Sequence, residues 1–304
     1  MRTALLVIGA GPAGVAAALQ AAALGIEITL VADEPAGGLA RAARRIDNLP
    51  GLPRISGIGL GQRLQTQLGQ AGITSIAGRV RSLTRRDQEF VAEQDHGTIV
   101  AHAVVLASGT RPRTVDVEGW DRCTERGLAH RDLRTLLDLP EGKRILVLGG
   151  GEVALDTALS LADRGARVAV ALRGDRFRAR PALLHEARAS GVEIWPGLTA
   201  RRCEPTREGL LAILGGEAAP RTQVEVAHVV ACIGREPETQ LLRGLGLPGD
   251  RPLQRLQPVP GLYLAGDLTR DSQRYIAPAL GDGVHAACLA HGYLATRIGG
   301  GGRA

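Results

Sequence analysis

Cysteine is scarce and scattered in this chain: Cys123, Cys203, Cys232 and Cys288 stand far apart, and no Cys-x-x-Cys occurs. That spacing encodes neither a zinc ribbon nor a local redox dithiol, so buried, reduced thiols and no metal site are expected. Aromatics are nearly as sparse, with two Trp, three Tyr and two Phe in 304 residues. Without a basic stripe interleaved with stacking rings, nucleic acid is not an expected partner. No apolar run reaches the roughly 18 residues of a membrane-spanning helix, so no membrane partner is expected either. Met1 leads straight into an apolar strand and a glycine turn, without the features of a signal peptide, and a cytoplasmic location is the expectation. Lysine is almost absent: Lys143 is the only one, so arginine carries the net charge of +6. This balance reads first as a solvated surface from Arg-rich coding, and second as a match for an acidic protein or a polyphosphate ligand.

What is present is a strand–glycine–helix plan, written twice in a chain long enough for two packed domains. Ala4 to Ile8 is a short apolar run suited to a strand buried on both faces. Gly9-Ala10-Gly11-Pro12-Ala13-Gly14 follows, then an alanine-rich helix to about Leu24, a stop at Gly25, and a strand from Ile26 to Val31. The plan returns as the strand Arg144 to Leu148 and the turn Gly149-Gly150-Gly151-Glu152-Val153-Ala154. A helix to about Arg164, Gly165 and a strand Ala166 to Leu172 complete it. The two units read as an internal duplication, not a short-period solenoid. Strands ending in small residues run from Val104 through Ser108 and Gly109, from Val229 to Gly234, and from Leu262 to Gly266 and Asp267. A small-residue helix from about Ala279 to Thr296 closes the fold, before a tail from Gly299 to Ala304 expected to be disordered. Hinges are expected at 111–120 and 234–248. The fold class is therefore α/β: two Rossmann-like, three-layer ββα dinucleotide-binding domains, the second (113–243) inserted into a discontinuous first (1–112 and 244–304).

Each glycine of such a turn has a physical purpose. The first permits the sharp turn, the second lets backbone approach a pyrophosphate, and the third lets helix pack on strand, while the helix N-terminus offers free N–H donors. The two copies differ where an adenosine ribose belongs. In the first, the position of the usual ribose-binding acid falls on Ala32, and Asp33 comes one residue late, so ribose binding is expected to be looser or shifted. In the second, that position is Leu172, followed by Arg173, Arg176 and Arg178, which favours a 2′-phosphate and hence NADPH over NADH. Arginines present only through coding bias are the alternative.

With these pieces in order, the chain resembles the low-molecular-weight thioredoxin reductase family, within the pyridine nucleotide–disulfide oxidoreductases. The resemblance rests on the two glycine turns, on Gly37-Gly38-Leu39 with Arg45 to Gly51, and on Ala107-Ser108-Gly109-Thr110. It also takes in Arg173 to Ala179, and Ala265-Gly266-Asp267 with the stretch Arg274 to Gly283. It implies that the discontinuous domain holds FAD, that the inserted domain holds NAD(P)H, and that the protein is a homodimer. It further places Asn48 near the isoalloxazine, Asp267 at the ribitol or phosphate region, and Arg274 and its successors over the flavin pyrimidine edge. Arg173 and Arg178 match the family's 2′-phosphate binders. Gly174 replaces a further arginine there, and Leu39 replaces a glutamine that would touch the cofactor. The candidate cofactor contacts are Gly9, Gly11, Pro12, Ala13, Gly14, Asp33, Gly38, Leu39, Asn48, Ser108, Gly109, Gly149, Gly151, Glu152, Val153, Arg173, Arg178, Gly234, Gly266, Asp267, Arg274, Tyr275 and Ile276. No catalytic side chain is nominated.

One departure changes the expected function. Where the family carries its redox Cys-x-x-Cys, this chain reads Arg126 to Thr135 with no cysteine, and Cys123 lies early and alone. Disulfide reduction by that route needs two exchanging thiols, so ordinary thioredoxin reductase activity is not expected. His130 there is read either as a proton donor near the flavin or as part of a solvated helix start with Asp132 and arginines outside. Electrons are then expected to pass from NADPH through FAD to an external acceptor. An acidic ferredoxin- or flavodoxin-type carrier is favoured, docking near Arg41, Arg44 and Arg45. Such carrier reductases tend to carry a C-terminal extension with an aromatic covering the flavin, and the glycines soon after the last helix here count against that expectation. A low-molecular-weight disulfide or another metabolite, and a sensor or assembly role without turnover, remain as alternatives.

Overall fold

The computed structural model describes residues 1–136, 141–216, 222–249 and 257–299. Most of the tail expected to be disordered, 300–304, lies outside the described residues. The chain divides into unit 1, Met1–Arg111 with Glu236–Ala304, and unit 2, Pro112–Arg235.

Unit 1 begins with β1 (Arg2–Ile8), α1 (Pro12–Ala23), β2 (Ile28–Ala32), α2 (Gly57–Gln70), β3 (Ser75–Ala77), β4 (Val80–Arg86), β5 (Glu89–Gln94), β6 (Gly97–Leu106) and β7 (Thr110–Pro112). Unit 2 holds α3 (Trp120–Glu125), β8 (Ala129–His130), β9 (Arg144–Leu148), α4 (Glu152–Ala162), β10 (Arg167–Leu172), α5 (Pro181–Ala189) and β11 (Glu193–Pro196). It continues with β12 (Thr199–Pro205), β13 (Leu210–Gly215), β14 (Thr222–Val226) and β15 (His228–Ala231). The chain then passes through β16 (Arg235–Pro237) and completes unit 1 with β17 (Leu262–Leu264) and α6 (Ile276–Gly299).

In unit 1 the strands run in the order β3-β2-β1-β6-β5-β4, and β17 joins beside β6. β6 is long enough to serve two partners on one edge. Residues 97–101 pair antiparallel with β5, and Val104–Leu106 pair parallel with Leu262–Leu264. Side chains alternate along β1, with Leu5 and Val7 entering the core under α1 and α6 and Leu6 and Ile8 entering the opposite core. Unit 2 repeats the plan as a parallel sheet, β11-β10-β9-β15-β8, with an antiparallel β12-β13-β14 sheet. Ile145 and Val147 pack with α4 and α5, while Leu146 and Leu148 face α3 and the antiparallel sheet. Burial on both faces explains why these strands read as unbroken apolar runs.

The second crossing between units lies eight residues before the expected one, after Arg235 rather than 243. Packing is the reason. The 3-10 turn Gln240–Leu245 puts Leu242, fully buried, into the unit 1 core, and Gly244 presses so close to Leu83 that a Cβ would lie 2.3 Å from its carbonyl oxygen.

The segment Arg126 to Thr135 is not a solvated helix start. Ala129–His130 pairs with Val229–Val230 as the edge of the parallel sheet, and a 3-10 turn follows from Leu133. Asp132 turns inward to Arg235 at 3.5 Å, with side chains only 14% and 17% exposed. The Thr135 hydroxyl donates to the Asp132 carbonyl, so toward His130 it accepts, and His130 Nδ1–H is the donor at 2.8 Å. His130 Nε2 therefore accepts from His228 Nδ1–H at 3.1 Å. Burial, and then His228, push the His130 pKa down to about 4, against the opposing Gly127 carbonyl. His228 is lowered too, chiefly by burial. This doubly engaged ring fastens the edge strand to β15.

The unfolded imidazole takes up its proton first, near pH 6.5, so the pair's contribution is complete above that value and is lost as pH falls toward about 4. Denaturant titrations of unit 2 between pH 7 and 4.5 should show stability falling with acid, and the fall should be shallower in His130→Gln. An equal slope in both proteins refutes the pairing.

Candidate functional site

In unit 1, four candidate segments converge on the carboxyl ends of the parallel strands, where open α/β sheets place their ligands. Gly9, at φ +102°, turns the chain off β1 so tightly that a Cβ would lie 2.4 Å from the Ala107 carbonyl oxygen, next to Ser108. Gly14 packs α1 onto that turn, and a Cβ there would be 1.8 Å from the Gly9 oxygen. The double-glycine loop joins through Gly37 N–H to the Ala10 carbonyl at 2.8 Å, and a Cβ on Gly38 would sit 3.1 Å from Gly11 Cα. Gly266, at φ +85°, brings the end of β17 against Ala13. Around Gly11 itself nothing lies within 4 Å of a Cβ. Pro12 starts α1, no side chain caps it, and its first turn holds no acid. This open cradle at an uncapped helix N-terminus fits a dinucleotide pyrophosphate.

The remaining unit 1 candidates take varied positions. Asp33 is exposed just past β2, and buried Ala32 holds the usual acid position. Leu39 is half-buried in the 3-10 turn Gly38–Ala42, and Asn48 is exposed in the following loop. Arg41 is half-buried with Nη1 on the Ala36 carbonyl, and Arg45 pairs with Asp47 at 3.0 Å, which offsets part of the expected basic patch. Ser108 gives its hydroxyl to the Glu238 carbonyl at 2.6 Å, and Gly109 accepts from Glu238 N–H, so both are engaged by backbone. Asp267 is half-buried at the start of a 3-10 turn. Sequence patterns missed the fastening beside it. Asp282 accepts from Gly266 N–H at 3.1 Å and takes both ends of the Arg270 guanidinium, whose Nη1 also reaches the Gly266 carbonyl. Arg274 donates from Nε and Nη2 to the Arg270 carbonyl, which places exposed Tyr275 and half-buried Ile276 at the mouth of α6.

Unit 2 builds a second cradle. Gly149, at φ +149°, lies where a Cβ would meet the Cys232 carbonyl oxygen at 2.3 Å, and Gly234 follows on that strand end at φ +107°. Gly151 is open and begins α4 without a side-chain cap. Val153 is 64% exposed at this turn, unusual for an apolar residue in the first turn of a buried helix. Leu172 closes β10 with an apolar side chain, and Arg173, Arg176 and Arg178 follow, all exposed. Arg178 N–H donates to the Gly150 carbonyl at 2.7 Å, which straps this arginine loop onto the glycine turn. On the loop's other side, Phe177, Leu184, Arg188 and Ile194 help line an open cavity of about 700 Å³. The uncapped N-terminus and the adjoining guanidiniums fit a phosphorylated dinucleotide.

Three of the four cysteines are poorly placed as nucleophiles. Cys123 and Cys203 are buried and Cys232 is half-buried; Cys288, on α6, is exposed, against the expectation for all four. Burial raises the Cys123 thiol, pushes Cys203 up to about 12 and Cys232 up to about 11. A thiolate is the reactive form, so the surroundings of these three thiols disfavour it near neutral pH. Among the described residues, no group of three or more His, Cys, Asp or Glu side chains is placed to hold a metal, and no helix is long and apolar enough to cross a membrane.

The chain is similar to known proteins over nearly its whole length. The family described as pyridine nucleotide-disulphide oxidoreductase matches residues 3–283. A thioredoxin reductase of Spironucleus barkhanus is 25% identical over 97% of this chain and 100% of its own. A ferredoxin–NADP reductase of Gluconacetobacter diazotrophicus is 34% identical over 82% of this chain and 74% of its own. The crystal structure of Lactococcus lactis thioredoxin reductase superposes with a TM-score of 0.89 over 97% of this chain and 99% of that one, at 21% identity.

The tightest approach in these cradles yields a test. Gly14→Val drives a branched side chain into the Gly9 carbonyl and should cost at least about 1–3 kcal/mol in a denaturant titration. Gly11→Val, in open space, should cost far less.

Proposed function

The chain belongs to the pyridine nucleotide-disulphide oxidoreductase family, as an FAD-dependent NAD(P)H oxidoreductase, and from that premise we propose that it passes electrons from NADPH through FAD to an external carrier without a dithiol. Unit 1 is the FAD domain in this reading, and unit 2 the NADPH domain. When bound, the two cofactors supply the chemistry, hydride transfer from nicotinamide to flavin. The chain's own residues bind and orient. Gly9 to Gly14 and Gly38 cradle the FAD diphosphate, and Gly266 and Asp267, held by Asp282, face its ribitol. Arg274 to Ile276 lie at the flavin edge. Gly149 to Gly151 and the N-terminus of α4 hold the second diphosphate, and Arg173 and Arg178 hold the 2′-phosphate of the adenosine ribose.

The observation that carries the acceptor reading is the segment around His130. Where a dithiol would provide the electron exit, the chain has an edge strand fastened by a histidine pair, and its buried thiols have raised pKa values. The similarity to ferredoxin–NADP reductases supports a protein carrier over a metabolite. Arginine supplies nearly all the positive charge, which suits an acidic carrier.

Purified protein should be yellow and should bleach on anaerobic addition of NADPH; a colourless protein that takes up no FAD refutes the reading. With ferredoxin or flavodoxin added, cytochrome c reduction should accelerate, and it should persist in a variant with all four cysteines replaced. Loss of turnover in that variant, with the flavin retained, would point back to thiol chemistry. For cofactor choice, Arg173→Ala with Arg178→Ala should raise the KM for NADPH about tenfold or more while leaving that for NADH nearly unchanged.

A further inference from the structure

The arginine loop after β10 is fastened to the glycine turn more firmly than a nucleotide motif requires. Besides the Arg178 bond to Gly150, residues Gly151 and Arg178 form an isolated parallel bridge. Two residues on, one carboxylate oxygen of Glu152, Oε1, accepts from Arg180 N–H at 3.2 Å and from Arg180 Nε at 2.9 Å. Both ends of this contact are constrained. Glu152 is the first residue of α4, and Arg180 is the N-cap of α5, immediately before Pro181.

The placement has an electrostatic consequence. An acid in the first turn favours the helix dipole, but it also sets a negative charge where a diphosphate must approach. Arg180 offsets that charge at hydrogen-bond distance. The side chains are 57% and 43% exposed, so the pair adds little to overall stability. Its effect lies in where it puts the loop.

We propose that Glu152 and Arg180 are a positioning pair that sets the discrimination between phosphorylated and unphosphorylated nicotinamide dinucleotides. The pair holds residues 173–180 folded on the glycine turn, which presents Arg173 and Arg178 together to a 2′-phosphate. It also screens Glu152 from the diphosphate that both dinucleotides share. This inference rests on the reading of unit 2 as the NADPH domain. Its two effects separate in single variants. Glu152→Ala frees the loop and removes the repelling charge, whereas Arg180→Ala frees the loop and unmasks that charge.

Hydrogen exchange of the full-length, nucleotide-free protein, combined with equilibrium titrations of NADP⁺ and NAD⁺, tests both effects. In Glu152→Ala the amides of Arg178 and Arg180 should exchange about tenfold faster than in the wild type, and Glu152→Gln, which keeps an acceptor oxygen, should recover part of the protection. The dissociation constant for NADP⁺ should rise about fivefold in Glu152→Ala and further in Arg180→Ala, and that for NAD⁺ should rise only in Arg180→Ala. Unchanged exchange in Glu152→Ala overturns the clasp. Faster exchange with an unchanged NADP⁺ to NAD⁺ ratio overturns its role in discrimination. A wild type that binds NADP⁺ no more tightly than NAD⁺ overturns the NADPH assignment, and the discrimination with it. Accelerated exchange in the same experiment would still support the clasp.

Discussion

The carboxyl edge of unit 1 depends on how closely α1 approaches its neighbours. Three contacts that only glycine allows surround the first turn of this helix: Gly14 on the Gly9 carbonyl, Gly283 of α6 on the Ala13 carbonyl, and Gly266 on the Ala13 side chain. A Cβ at Gly14 or Gly283 would fall within about 2 Å of an oxygen, a distance no rotamer relieves. The helix N-terminus is therefore fixed by backbone against backbone, and the loop Gly37-Gly38 and the Gly266 turn are placed relative to it. Unit 2 is less tight. Its corresponding position is Ala154, whose methyl is accommodated in the core under α4. There the turn depends on Gly149 under the Cys232 carbonyl, and the loop after β10 is secured by side-chain contacts.

Local pattern carried most of the fold. The apolar runs at Leu5 to Ile8 and Ile145 to Leu148, each followed by glycines and a helix, specify buried parallel strands because no other short element buries both faces. Helix ends were legible within a few residues, since Gly25 and Gly165 take the left-handed conformation that stops a helix. What stayed hidden depends on residues distant in sequence. The two-residue strand Ala129–His130 is too short to show a period and exists because β15, about a hundred residues later, supplies its ladder. The second crossing was misplaced because Gly and Pro in 234–248 resemble a linker, whereas the burial of Leu242 is a tertiary fact.

The same division holds at the site. Glycine turns announce themselves because their backbone conformation is demanded locally. Asp282 and Arg180 do not, since an acid between two glycines and an arginine before a proline are common on any surface. Their partners, Arg270 and Glu152, lie 12 and 28 residues away in the chain. The arginine bias that clouded the reading of charge also resolves at this level. Some guanidiniums are committed to backbone carbonyls or carboxylates, such as Arg41, Arg45, Arg270 and Arg274, while Arg173, Arg176 and Arg178 stand at the surface beside a glycine turn.

The place of β17 in the unit 1 sheet bears on how the chain is assembled. Unit 2 is one continuous stretch of sequence, and every strand of its sheets is present once Ala231 has been synthesised. Unit 1 is not complete until residues 262–264 arrive to occupy the open edge of β6, and α6 to cover α1. During translation the first 111 residues thus carry an unsatisfied strand edge and an uncovered apolar helix face while the inserted unit folds. The insertion makes the amino-terminal 111 residues wait for the end of the chain before they reach their final packing.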